Sequence, residues 1–149
     1  GTVKETTGST AGTIRNTGTT VVSQSVAVAY TNTVAGTAAF TIPAGSMILS
    51  AQFITTVAYA TTTPTIALLS NAVAINTASS ISAYTTTGSA SLALGNNNAA
   101  GAVLVANVGT TDAIITYTQA NVTATSGAGV LVLTYAVRNS DGTGFPASA

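Results

Sequence analysis

Hydrophobic and polar residues alternate along much of this chain, and the longest alternation lies at 38–60, AAFTIPAGSMILSAQFITTVAYA. Phe40 and Ile42 run up to a turn at Pro43-Ala44-Gly45. Met47, Leu49, Ala51, Phe53, Val57 and Tyr59 then fall on alternate positions, with Thr55 the one polar member. The opposite parity (Ile48, Ser50, Gln52, Ile54, Thr56, Ala58) is mixed and more polar. A period of two predicts a long strand with one buried face, because successive side chains on a strand point to opposite sides. A helix would gather residues three and four apart, and this run does not sort that way. Gly45 gives the corner its backbone freedom, and Pro43 fixes one dihedral there.

The same period marks other strands. At 22–30, Val22, Val26, Val28 and Tyr30 share one parity, with Gln24 the exception. Pro64, which has no N–H for a ladder, ends the central stretch. Residues 65–70 (TIALLS) and 72–76 (AVAIN) read as two strands or one bulged strand. Residues 77–100 show little periodicity and hold a loop tip at Asn96-Asn97-Asn98. Strands are expected again at 102–108 (AVLVANV), 113–119 (AIITYTQ) and 130–138 (VLVLTYAVR), the last with Leu131, Leu133, Tyr135 and Val137 on one face. Eight or nine short strands with regular turn signals and no αβ alternation predict an all-β, antiparallel, jelly-roll-like sandwich. An immunoglobulin-like sandwich is the alternative. The 149 residues suit one domain, a β-sandwich over 21–149 preceded by an extended arm over 1–20.

Composition changes the picture more than any motif. Charged residues make up 4% of the chain, against about 25% in typical domains. They are Lys4, Glu5, Arg15, Asp112, Arg138 and Asp141, and they sum to zero. Soluble monomers usually carry net charge that keeps them apart; a neutral, hydroxyl-rich surface suits packing into an assembly. Three basic residues cannot neutralise a run of phosphates, so nucleic acid is not expected as a partner. No apolar run approaches the roughly 20 residues that span a bilayer, so no membrane partner is expected. No basic segment followed by an apolar one opens the sequence, so no secretory signal is expected.

Candidate chemistry is sparse. With no His and no Cys, the commonest general base, thiolate nucleophile and metal ligands are missing. The three acids do not suggest a convergent pair: Glu5 lies in the arm, and Asp112 and Asp141 read as turn residues that accept hydrogen bonds from backbone. No glycine cluster is followed by the Lys-Ser/Thr of a phosphate loop. No catalytic, metal or cofactor residue is therefore expected. Tyr30, Tyr59, Tyr117 and Tyr135 sit in apolar strands and read as core, whereas Tyr84 lies in the polar middle segment and is the tyrosine expected to touch a ligand. Asn121-Val122-Thr123 fits a glycosylation sequon that arises often by chance in a Thr-rich chain.

Two stretches carry a resemblance. F-T-I-P-A-G-S-M at 40–47 and T-A-T-S-G-A-G-V-L-V-L-T-Y at 123–135 resemble a turn and a terminal strand of tailed-bacteriophage virion proteins of the head-decoration type. The resemblance implies a jelly-roll-like domain located in the virion. It also implies a non-enzymatic role as capsid decoration or cement, with the major capsid protein and copies of itself, as a trimer, for partners. Lys4, Arg15, Tyr84, Asn96, Asn97 and Asn98 are the expected partner-binding residues. A fibre or receptor-binding tip module, contacting its target through loops 76–80 and 95–101, and a carbohydrate-binding or adhesin sandwich are the alternatives.

Overall fold

Among the described residues, eight strands and one helix follow one another: β1 (Thr20–Ala29), β2 (Thr37–Ile42), β3 (Met47–Val57), β4 (Thr65–Ser70), β5 (Val73–Ala74), β6 (Gly88–Ser91), α1 (Ala99–Ala106), β7 (Ala113–Ala120) and β8 (Ala128–Val137). The computed structural model describes residues 20–60, 64–76, 86–95, 99–120 and 125–138. Strand pairing is nested. β1 pairs with β8, β2 with β7, β3 with β6 and β4 with β5, each antiparallel. The chain is thus one long hairpin, rolled so that β8 also meets β3 and β7 also meets β4. Two four-stranded sheets result, ordered β1-β8-β3-β6 and β2-β7-β4-β5. This nesting is jelly-roll topology, and it differs from the seven-strand immunoglobulin arrangement.

The core lies between the inner faces of the two sheets. Phe53, Leu131 and Leu133 of the first sheet and Ile42, Ile66, Leu68, Ile115 and Tyr117 of the second are fully buried. Each such aliphatic or aromatic side chain contributes about 1.5–3 kcal/mol by leaving water. β8 keeps Leu131, Leu133 and Tyr135 inward, as its alternation predicts, together with Gly129, but at its end Ala136 is buried and Val137 is only partly buried against the core. Gly129 has no side chain because Phe53 needs the space: a Cβ there would sit 2.4 Å from the Phe53 ring and 2.6 Å from the Ile54 carbonyl oxygen.

Three expectations change. On β3 the register against β8 slips between Ile48 and Ser50, and that bulge reverses the parity of the strand's first residues. Ile48 is consequently buried (3% exposed) and Leu49 faces outward (45%), the reverse of the simple alternation. A second slip between Thr55 and Val57 likewise turns Val57 out. Residues 102–108, expected as a strand, lie mostly in helix α1 and then run into a loop. Ala-rich sequence favours helix, and Gly101 lets α1 approach β5 so closely that a Cβ would meet the Ala74 carbonyl oxygen at 2.3 Å. Finally, residues 65–76 form a tight hairpin whose two turn residues, Asn71 and Ala72, have φ of 45° and 69°. Left-handed values at both positions match the twist of flanking strands. Asn71 also accepts from the Ile114 N–H through its side chain and donates to the Ile114 carbonyl.

Candidate assembly surface

The corner between β2 and β3 is where the described charged residues act. Pro43 to Ser46 close a turn through the Ser46 N–H and the Pro43 carbonyl, with Gly45 at φ 74°, the left-handed third position of a type II turn. The loop after α1 docks on it: the Gly45 N–H donates to the Gly109 carbonyl at 2.8 Å, and the Val108 N–H to the Ser46 carbonyl at 3.0 Å. Asp112 accepts from the Ala44 N–H at 3.0 Å. Arg138, just past β8, donates through Nε to the Gly45 carbonyl at 2.9 Å and through Nη2 to the Ala106 carbonyl at the end of α1. Asp112 and Arg138 are the two charged side chains among the described residues, and both hold this one corner. Asp112 accepts from backbone, as a turn aspartate does, but the N–H it meets lies in a turn 68 residues away.

The rest of the described surface carries no charged side chain. Across the outer face of the first sheet, the strand registers give three rows: Ser23, Thr134, Ser50; Ser25, Val132, Gln52, Ser91; and Ala27, Val130, Ile54, Ser89. Ser23 and Thr134 share a 2.7 Å hydroxyl hydrogen bond. Helix α1 has no polar side chain on any side. Leu104 and Val105 pack on the core, while Ala99, Ala102, Ala106 and Val103 (66% exposed) face outward. A helix apolar all round is usual in a buried setting, yet α1 leaves this apolar face exposed among the described residues.

Inside, the tyrosines behave as expected of core. Tyr59, Tyr117 and Tyr135 are buried, and Tyr30 is half-buried against the core. Tyr59 donates to Gln119 Oε1 at 3.1 Å, and Gln119 Nε2 donates to the carbonyls of Ala29 and Asn32 at 2.9 Å each, which ties both sheets to the loop after β1. Burial first, and nearby Tyr117 second, push the Tyr59 phenol up to about 12. It therefore remains a protonated donor rather than an acid–base group. Gln24 Nε2 donates to the Tyr135 hydroxyl at 2.6 Å, which accounts for the polar exception on β1.

Lys4, Arg15, Tyr84, Asn96, Asn97 and Asn98 all lie outside the described residues, as do Asp141, the sequon and residues 1–19 of the arm expected over 1–20, whose last residue, Thr20, opens β1. Of the two loops expected to meet a target, residues 77–80 and 96–98 lie outside the described residues. Asn76 is buried and pairs with the backbone of Leu68 and Ile66, and Gly101 is buried in α1 against Ala74, while Ala99 and Ala100 are exposed. Among the described residues no group of three or more acidic, His or Cys side chains could hold a metal, and no helix is long and apolar enough to cross a membrane. The corner clasp is not legible in the sequence because Asp112 and Arg138 each meet backbone atoms of distant residues, which no side-chain pattern reveals.

Comparison with known proteins bears on the fold. No family model and no curated protein matches the sequence. Among solved structures, a chain titled as part of the capsid asymmetric unit of cyanophage Pam1 is similar in fold, with a TM-score of 0.55 and 20% sequence identity. The similarity covers 81% of this chain and 87% of that one.

Proposed function

We propose that this chain is a non-enzymatic structural protein of a bacteriophage virion, a decoration or cement subunit that lies over seams between capsid subunits. The observation that carries the reading is the jelly roll shared, over most of both chains, with a component of a phage capsid asymmetric unit. The surface supports it. Both described charges are occupied in holding the corner, the outer face of the first sheet is neutral, and α1 shows an apolar face outward. Such a body contributes shape and uncharged contact area. Its partners would be the major capsid protein and further copies of itself, grouped about a three-fold axis.

Crosslinking mass spectrometry on the native particle tests this. The expected result is a chain present in hundreds of copies, crosslinked to the major capsid protein. A protein absent from the particle would overturn the virion reading. A few tens of copies at one appendage would replace cement with a fibre or receptor-binding tip.

A further inference from the structure

The four sheet edges are not alike. β6 is four residues long and β5 is two, and β2 is six residues with a register shift between Ala38 and Phe40. Short or bulged edges are how proteins avoid unwanted strand pairing. β1 has neither protection. It runs ten residues, TVVSQSVAVA, in unbroken register from Thr20 opposite Val137 to Ala29 opposite Ala128. It contains no Pro, no Gly and no charge, and it lies at the end of the first sheet.

The ladder tells which groups face the open side. The Tyr30 N–H donates to the Gly127 carbonyl, one step beyond the Ala29–Ala128 pair. In an antiparallel ladder, hydrogen-bonded pairs alternate with non-bonded ones. Even-numbered residues of β1 therefore bond to β8. The odd-numbered residues Val21, Ser23, Ser25 and Ala27 turn their N–H and C=O groups to the open edge. Ala29 agrees: its N–H donates to Asn32 Oδ1 and its carbonyl accepts from Asn32 and Gln119, not from β8.

We infer that two copies of this chain join edge to edge through β1, antiparallel about a two-fold axis at Gln24, making one continuous eight-stranded sheet. The register follows from counting. With Gln24 on the axis, Val21 faces Ala27 of the second copy and Ser23 faces its Ser25. All four open residues of each strand are then paired, two bonds per facing pair. Shifting the axis to Ser23 or Ser25 leaves one of the four unpaired. In the favoured register apolar meets apolar and hydroxyl meets hydroxyl on the outer face, with no like charges opposed. Ser23 already bonds Thr134, so the Ser25 hydroxyl of the second copy would extend that chain. The contact is a property of the purified chain and stands apart from the virion reading.

The chain has no cysteine, so introduced thiols report cleanly. Ser23→Cys and Ser25→Cys chains, differently tagged and co-expressed, should yield a mixed disulfide under mild oxidation, because facing residues lie about 5.5 Å apart. The mixed pair should form at least about fivefold more crosslink than either variant alone, whose cysteines would sit diagonally across the axis. Adding Ser25→Pro to the Ser23→Cys chain, with Ser25→Cys as its partner, removes an N–H from the open edge only. This should abolish most of the crosslink while thermal unfolding shows the domain still folded. No mixed disulfide, equal yields from all pairings, or a crosslink indifferent to Ser25→Pro would each overturn the contact.

Discussion

The Pro43–Ser46 corner and the open edge of β1 treat polar groups in opposite ways. At the corner the carbonyls of Gly45 and Ala106 and the N–H of Ala44 are met by charged side chains drawn from β8's end and the loop before β7. Along β1, four residues' worth of backbone donors and acceptors face away from β8 with no charge, proline or bulge to guard them. A chain with so few charges has placed those described here where they hold its own fold together. Among the described residues nothing comparable keeps a neighbour away from β1. On the proposed edge contact, the corner serves stability and the edge serves association.

That division can be broken at the corner first. Arg138→Met removes two charge-assisted hydrogen bonds and leaves their carbonyls unmet. It should cost about 2–3 kcal/mol in denaturant unfolding, with self-association of the folded protein unchanged. A loss of association at full stability would reverse the assignment. Asp112→Ala removes one exposed acceptor and should cost about 1 kcal/mol, read by the same unfolding curves. A larger loss than at Arg138 would mean that the clasp is centred on the wrong residue.

Much of the fold is legible in the sequence where one face is buried and the other wet. β1, β7 and β8 each meet that condition and are found where their alternation puts them. β3 is found too, but its bulges are invisible in a string of letters, so Leu49 and Ile48 exchange faces. Helix α1 was misread for a different reason. Its residues are apolar on every side, so neither a period of two nor one of 3.6 stands out, and a short apolar run cannot be typed by periodicity. β6, Gly-Ser-Ala-Ser, has almost no side chain to alternate. The surface was legible only as composition: scarcity of charge suggested association, but which edge is open depends on pairing order, which a single strand's sequence does not carry.

The salt dependence of self-association is the most direct test that this surface associates without charge. Sedimentation equilibrium of the purified chain should give a dissociation constant that changes by less than about twofold between 0.05 and 1 M NaCl, since no ion pair at the edge is there to screen. A tenfold or greater weakening over the same range would show that charged groups, and not the neutral β1 edge, hold the copies together.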